Sequence, residues 1–231
     1  MWPAPIDHVY ILCDPVKEPE RAKYLLNWLQ ENKIPSTSYT MSLACYGSDL
    51  TAADAYHVYN PWVDRGTLEK QRNYNSYNLK MGEISLCINW ATAAAQAVAA
   101  GHRCVMFLES DVLFSDRFLE KLGVALGAFG EDEPWDFLSI SYGPELRPPR
   151  KEGEENRPAW FRAPQYFQTR TTDAMIFRVE MLRKILGTFF PFAEVLDWEL
   201  NYQLTLHESR SYWLDPPIIR QGSGREYPTT L

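Results

Sequence analysis

An apolar run that ends in two acids constrains this chain more than any other stretch. Residues 104–108, CVMFL, lead directly into Glu109, Ser110 and Asp111, and three further apolar residues follow. A short, unbroken apolar run is typical of a strand that is buried on both faces, as in a parallel sheet. Ligands of open α/β sheets bind beyond the carboxyl ends of such strands, where Glu109 and Asp111 are expected to lie.

The two acids predict a site for a divalent cation. Carboxylates are costly to bury unless something cationic meets them. Alternate residues of an extended chain point the same way, so Glu109 and Asp111 are expected to face one hard cation. This acid-x-Asp pattern indicates a metal and diphosphate site of the kind that nucleotide-sugar transferases use. The alternative interpretation is a strand end whose acids cap the next helix or lie in water.

Length, charge and cysteine usage set outer limits. A chain of 231 residues is long enough for one α/β domain with a substantial core. The formal net charge of −7 argues against a nucleic-acid-binding surface. No apolar run approaches the length of a transmembrane helix, and the N-terminus lacks a signal-peptide pattern. Four scattered cysteines without Cys-x-x-Cys spacing suit buried thiols in a reducing, cytoplasmic setting.

Segments with the hydrophobic pattern of a strand alternate along the chain with segments that have the pattern of a helix. This alternation predicts an α/β fold, a single domain over residues 1–231 with a mostly parallel central sheet. Residues 44–80 show little periodicity and are expected to lie over the carboxyl edge of the sheet. The Pro-rich and charged stretch 143–164 is predicted to be an exposed loop of the same domain. The predicted strands are 6–13, 36–43, 104–108, 136–141 and 169–177, and the predicted helices begin near Pro19, Glu83, Ser115 (as N-cap), Val179 and Phe192.

Several short segments, in this order, resemble those of a known enzyme family. They are residues 9–12 with Arg21, residues 81–87 (MGEISLC), 108–112 (LESDV), 135–138 (WDFL), 171–175 (TTDAM), Asp197 and 213–221 (WLDPPIIRQ). They resemble glycosyltransferase family 25, the lipopolysaccharide and collagen galactosyltransferase group, which has the GT-A fold. The resemblance implies a metal-dependent, inverting transferase that moves a hexose from a nucleotide-diphosphate sugar, UDP-linked, to a hydroxyl of a glycan or glycoconjugate.

Three positions depart from the family pattern. Ser110 stands where the family usually has Asp, and Asn89-Trp90 stands where a Ser-His pair is common. Of the paired arginines near the N-terminus, Arg21 is present. A non-catalytic nucleotide-sugar or glycan-binding module on the same fold is therefore the alternative function. A nucleotidyltransferase is less favoured, because no Gly-rich phosphate loop follows the first strand.

Roles follow for individual residues. Mn²⁺ or Mg²⁺ prefers oxygen ligands, so Asp111 is expected to bind the metal directly and Glu109 directly or through water. His207 or Gln221 is a candidate to complete the metal shell. Donor binding is assigned to Cys13, Arg21, Lys80, Glu83 and Glu109.

Inversion requires a base that takes the proton of the acceptor hydroxyl. The family pattern places Asp197 in the acceptor half, so Asp197 is the predicted base. Glu199 is the second candidate and Asp173 the third. Aromatic faces stack on sugars, which makes Trp62, Trp90, Trp160 and Trp198 candidate sugar platforms.

Overall fold

A computed structural model describes residues 1–41, 43–63, 78–129, 134–142, 159–165, 167–169 and 171–222. Its helices and strands alternate through most of the chain. In order they are β1 (His8–Leu12), α1 (Pro19–Glu31), β2 (Tyr39–Met41), α2 (Ala52–Val58), α3 (Met81–Ala99), β3 (Cys104–Glu109), β4 (Val112–Phe114), α4 (Phe118–Gly127), β5 (Phe137–Ser139), β6 (Ala159–Arg162), β7 (Ala174–Arg178), α5 (Val179–Leu186), α6 (Leu196–Leu206), β8 (Ser211–Asp215) and β9 (Ile219–Gln221).

The strands form one large sheet and one small one. The large sheet has the order β2-β1-β3-β7-β5-β8-β6, and β4 pairs with β9 in the small sheet. β1 is parallel to β2 and β3, β7 is antiparallel to β3 and β5, β8 is parallel to β5, and β6 is antiparallel to β8. Five of the seven strands therefore run in one direction. This confirms the predicted α/β fold with a mostly parallel central sheet.

β3 lies in the sheet interior and is buried on both faces, as its apolar run predicts. Each of residues 104–108 is fully buried. Cys104, Met106 and Leu108 pack into the core on one side of the sheet, which includes residues of α1 and α4. Val105 and Phe107 pack into the core on the other side, against α3, α5 and α6. Because the polar residues begin only at Glu109, the strand delivers them to the carboxyl edge of the sheet.

Helix α3 is the longest of the described helices, with 19 residues. Ile84, Cys87 and Ala91 lie on its buried face. Among the helices of the described ranges, none combines the length and the apolarity that a membrane span requires.

Two predicted boundaries are wrong because the chain pairs with distant segments. Ser115 is not the N-cap of α4, which begins at Phe118 after Arg117 with a left-handed backbone (φ 53°). The residues before Ser115 form β4 instead, because they pair with β9 more than 100 positions later. The last helix begins at Leu196 and not near Phe192, because the Phe192 amide bonds to the Val58 carbonyl at 3.0 Å.

The predicted loops contain more regular structure than the periodicity indicates. Ala159–Arg162, within the predicted loop 143–164, forms the edge strand β6 against β8. Residues 143–158 lie outside the described residues, so that part of the prediction stays a prediction. Within 44–80, Thr51 and Asp54 form a capping box that starts α2. Residues 64–77 lie outside the described part of the chain.

Candidate functional site

A cavity of about 640 Å³ opens where β1 and β3 end. This carboxyl-edge cavity is walled by the start of α1, the segment after β2, the start of α3 and the turn after β3. As predicted for the described part of 44–80, residues of this stretch, including Tyr46 and Leu50, lie over the edge of the sheet. The lining residues that carry polar side chains are Glu18, Arg21, Tyr46, Ser48, Lys80, Ser85, Asn89, Glu109, Ser110, Asp111 and Gln221.

Asn89 and Gly47 hold one wall of the cavity against α3. The Asn89 side-chain oxygen accepts hydrogen bonds from the amides of Ala44 (2.8 Å) and Cys45 (3.0 Å), and its amide donates to the Cys45 carbonyl at 2.8 Å. A Cβ at Gly47 would lie 2.7 Å from the Gly82 nitrogen, so only glycine permits this approach. Asn89, which departs from the family pattern, therefore positions the segment after β2. Its polar side chain in the middle of an apolar helix is the signal that could have found it.

The acids reach the cavity through a turn. Glu109 is the last residue of β3, and Ser110 and Asp111 form the turn to β4. The predicted alternation along an extended chain is therefore wrong, although Glu109 and Asp111 both line the cavity. Asp111 is only 3% exposed, and its Oδ1 has no hydrogen-bond partner in the part of the chain that the structure describes.

The carboxylates of Asp173 and Asp197 also interact electrostatically with Glu109. Burial raises the pKa of Glu109 to about 8, the charge of Asp111 adds to the rise, and Asp173 and Asp197 contribute further. Thr172 opposes the rise by donating a 2.5 Å hydrogen bond to Glu109 Oε1. The acids therefore repel one another in a place that disfavours charge.

Asp173 belongs to this group of carboxylates. Burial raises its pKa to about 7, a hydrogen bond from Thr171 lowers it, and the charge of Asp111 raises it. The backbone of Asp173 is also bound to β3, since its carbonyl accepts a hydrogen bond from the Glu109 amide at 2.9 Å. Asp173 Oδ2 is buried, and none of the described residues hydrogen-bonds to it. Asp173 thus lies beside the predicted metal acids rather than at a separate acceptor site.

The carboxylate oxygens of Glu109 and Asp111 are the type of donor atom that a hard divalent cation prefers. Within the described ranges, no group of three or more His, Cys, Asp or Glu side chains has the arrangement of a metal cage. Crowded carboxylates and the unpartnered Asp111 Oδ1 are nevertheless what a cation would neutralise. Mg²⁺ is commonly held by one or two carboxylates together with substrate phosphates and water, so a complete protein cage is not required.

Arg21 is part of a buried network that the sequence analysis did not foresee. Arg21 Nη1 donates to Glu18 Oε1 at 2.8 Å and contacts Ser110 Oγ at 2.9 Å. Ser110 Oγ donates to the same Glu18 oxygen at 2.7 Å. Ser110 therefore ties the β3–β4 turn to α1. The i,i+3 spacing of Glu18 and Arg21 is the sequence signal for this pair.

The remaining predicted donor-binding residues lie in different surroundings. Lys80 is exposed and lines the cavity at the start of α3. Glu83 accepts a 2.7 Å hydrogen bond from the Lys80 amide and so caps the helix. Cys13 is fully buried in the core, where burial first and Glu18 second raise its pKa to about 12. Its thiol stays protonated at neutral pH.

The two predicted catalytic acids of α6 differ in their surroundings. Asp197 is half-buried, and its Oδ1 accepts the Trp198 amide at 2.9 Å. Burial raises its pKa, and its charge reaches Glu109. Glu199 is fully buried, and its two oxygens accept hydrogen bonds from the Ala193 amide (3.0 Å) and Gln203 (2.9 Å). The charge of Asp197 therefore raises the pKa of Glu109. Glu199 instead fixes the backbone before α6 through its hydrogen bond from the Ala193 amide.

The two candidates for the metal shell are far apart in role. Gln221 lines the carboxyl-edge cavity. His207 follows α6, and its Nε2 contacts the Thr188 hydroxyl at 2.9 Å. Gln221 therefore lies in the same cavity as Glu109 and Asp111. His207 lies at the C-terminal end of α6, whereas Asp197 lies at its N-terminal end.

The candidate sugar platforms are separated from one another. Trp62 is 78% exposed, and Trp90 is fully buried among aromatic rings. Trp160 is half-buried and donates to the Ala125 carbonyl at 2.7 Å. Trp198 is half-buried against Phe167. Of the four, Trp62 is the most exposed.

Comparison with known proteins adds distant likenesses alone. No family model and no curated protein matches the sequence. A crystal structure of A197 from STIV is similar with a TM-score of 0.43 and 12% identity, over 91% of this chain and 82% of that one. A crystal structure of S. aureus TarS 1-349 is similar with a TM-score of 0.45 and 13% identity, over 93% of this chain and 59% of that one. The resemblance to glycosyltransferase family 25 stays a prediction. What the site can do is therefore argued from its own residues.

Proposed function

We propose that this chain is a glycosyltransferase that moves a hexose from a nucleotide-diphosphate sugar to a hydroxyl of a glycan or glycoconjugate. The observation that carries the proposal is that the carboxylates of Glu109 and Asp111 line the carboxyl-edge cavity, where the buried Asp111 Oδ1 has no hydrogen-bond partner among the described residues. The resemblance to family 25 supplies the finer terms: a UDP-linked donor, dependence on a metal and inversion at the anomeric carbon.

The cavity has features that suit a diphosphate. The start of α3 lines it, and the N-terminus of a helix attracts anions through its dipole and its backbone N–H groups. Lys80 adds a positive charge at the same place. Asp111 and Glu109 would hold Mn²⁺ or Mg²⁺, which would neutralise charge on the departing diphosphate. The network of Glu18, Arg21 and Ser110 keeps the turn that carries Asp111 in place.

Asp197 is the group proposed to take the proton from the acceptor hydroxyl. A general base works best when its pKa lies near the operating pH, and burial moves the pKa of Asp197 in that direction. Glu199 is less suited to this role, because both of its oxygens accept hydrogen bonds inside the core.

Binding of UDP with and without Mn²⁺ tests the proposal. A ligand at 100 times its dissociation constant adds about 2.7 kcal/mol of stability, which a thermal-shift assay detects. Asp111→Asn should abolish the Mn²⁺-dependent part of this stabilisation and leave the metal-free melting temperature near that of the parent. Glu109→Gln should have a smaller effect. Asp116→Asn, at an exposed position on the far side of β4, is the matched control and should behave like the parent.

Two results would overturn parts of the proposal. Mn²⁺-dependent binding that persists in Asp111→Asn would remove the metal site. Binding of a UDP-sugar without any transfer or hydrolysis would favour the second candidate, a non-catalytic nucleotide-sugar or glycan-binding module. The replacement of the usual family acid by Ser110, which bonds to Arg21 and Glu18, favours that candidate. Donor hydrolysis separates the two, because a transferase without acceptor leaks donor to water.

A further inference from the structure

A second cavity of about 690 Å³ lies at the opposite edge of the sheet, where β3, β5 and β8 begin. Four arginines line it: Arg103, Arg178, Arg183 and Arg210. We call it the arginine cavity. The topology explains the clustering, since Arg103 immediately precedes β3, Arg210 precedes β8, and Arg178 ends the antiparallel strand β7.

Two of the arginines build the walls. Arg210 binds Asp136 in a bidentate pair, with 2.8 Å from Nε to Oδ2 and 2.9 Å from Nη2 to Oδ1. The Arg178 guanidinium stacks over the Trp135 ring at 4.1 Å from its centroid. Such contacts fix the direction of a guanidinium group before any ligand arrives. The charge of Asp136 is already matched by Arg210.

The other two arginines are open to solvent. The Arg103 side chain is 88% exposed, and its distance to Asp7 is 3.8 Å, the length of a weak ion pair. Arg183 is exposed on α5. Glu180 is the remaining acid among the lining residues of the described chain. Positive charge therefore exceeds negative charge in this cavity, although the whole chain has a net charge of −7.

The start of α5 adds to the positive field. Val179 and Glu180 line the cavity, and no side chain caps the first turn of the helix by a hydrogen bond. The N-terminal end of a helix carries a partial positive charge that favours anions. At α5 the Val179 N–H already donates to the Arg103 carbonyl at 3.0 Å and Glu180 lies in the first turn, so the arginine side chains supply most of the positive charge. Arginine side chains with this helix terminus form a combination that binds phosphate oxygens.

We infer that the arginine cavity binds a small phosphate-bearing anion, at a site separate from the carboxyl-edge cavity. Its volume lies within the range of about 300–1,000 Å³ that is common for small-molecule sites. A concave site on a chain of negative net charge suits a small anion better than an extended anionic surface such as a membrane. The ligand chemistry is a phosphate or diphosphate group, from an inorganic anion or from a nucleotide.

Calorimetric titration of the whole chain with inorganic pyrophosphate in EDTA tests this site. EDTA removes the divalent cation on which diphosphate binding at the carboxyl edge is proposed to depend. The parent should bind with a Kd below about 1 mM. Arg103→Gln with Arg183→Gln should weaken binding at least about tenfold, because bonds between charged groups are lost. Both positions are exposed, so the fold should persist, and the melting temperature checks it.

Matched controls locate the binding. Arg117→Gln removes an exposed arginine elsewhere and should leave pyrophosphate affinity unchanged. Because the titration is made in EDTA, its result is independent of the metal-dependent binding on which the proposed transferase site is tested. A titration with UDP in place of pyrophosphate shows whether the ligand is a nucleotide. If UDP binds more tightly than pyrophosphate, and the double arginine variant weakens that binding too, the site recognises a nucleotide. If the two bind equally, the site recognises the phosphate group alone.

Three outcomes would overturn the inference. They are no saturable binding of pyrophosphate or UDP, an affinity that the double arginine variant does not change, and binding to vesicles of anionic phospholipid without binding of either small anion. The last outcome would make the arginines a membrane-facing surface. The acids at 131–133 are present in the whole chain, so any competition from them is included in the measured affinity.

Discussion

The buried pair of Glu18 and Arg21 allows a quantitative test of what holds the carboxyl-edge cavity together. Their side chains are 5% and 8% exposed, so solvent screens the pair little. Arg21→Met removes the cation and leaves the Glu18 carboxylate in the interior with the Ser110 hydroxyl. Removing one partner of a buried ion pair costs about 3–5 kcal/mol, because the remaining charge is not compensated. A typical domain has about 5–15 kcal/mol in total, so the loss should be large.

Urea unfolding followed by tryptophan fluorescence measures this loss. With an m-value of about 3 kcal/mol/M, a loss of 3 kcal/mol lowers the midpoint by about 1 M. The double variant Glu18→Met with Arg21→Met removes both charges, and it should be more stable than Arg21→Met alone. The coupling energy between the two positions should exceed about 1 kcal/mol in the double-mutant cycle.

A second Arg–Glu pair provides the control. Arg117 and Glu120 have the same i,i+3 spacing, but their side chains are 73% and 62% exposed. Arg117→Met should change the unfolding free energy by less than about 0.5 kcal/mol. If Arg21→Met were as mild as Arg117→Met, the network around Ser110 would be solvated, and its role in placing Asp111 would fail.

Three further outcomes test other parts of the molecule. Asp197→Asn should leave donor affinity unchanged but slow transfer by about 10²–10⁴-fold, since a general base acts in the transition state; steady-state kinetics measures both, and an undiminished rate would exclude Asp197. Gly47→Ala should lower stability by about 1–3 kcal/mol, because the added Cβ meets the backbone of α3. Gly127→Ala is its control in thermal melts: nothing lies within 4 Å of that Cβ, so a similar loss there would refute the steric argument. Burial raises the pKa of Asp136, and hydrogen bonds from Arg210 lower it by a larger amount. The pKa of Asp136 therefore lies below the ordinary 3.8. The ionised carboxylate therefore stabilises the fold above that value, and the stability gap between the parent and Asp136→Asn should close as the pH falls below 3.8 in urea melts. A gap that stays constant down to the acid transition would contradict this linkage.

Local sequence patterns were sufficient for the buried strand β3 and for the edge of the sheet at which the acids lie. The unbroken apolar run 104–108 predicted a strand buried on both faces, and all five of its residues are buried. The change from apolar to acidic residues at Glu109 predicted polar groups at the carboxyl edge, where the cavity opens. These predictions succeed because burial of a continuous apolar segment depends on its own composition and not on the identity of its neighbours.

Pairing between distant segments could not be predicted in this way. Residues 112–114 form β4 because the C-terminal strand β9 lies beside them, and Ala159–Arg162 forms a strand because β8 offers its edge. A short segment has too few residues for its own periodicity to decide its structure, so its long-range partners decide it. The predicted N-cap at Ser115 was wrong for this reason.

The sequence by itself determined the approximate bounds of the strands β1, β3 and β5 and the acidic residues that follow β3. Only the tertiary structure decided that Ser110 bonds to Glu18 and Arg21, that Asp173 lies beside Asp111, and that arginines from separate strands line one cavity. Electrostatic interactions and hydrogen bonds depend on distance in space, whereas periodicity reports only which side of an element a residue occupies. The candidate site is therefore visible in the sequence as a set of residue types, and it becomes a site when the fold brings them within bonding distance.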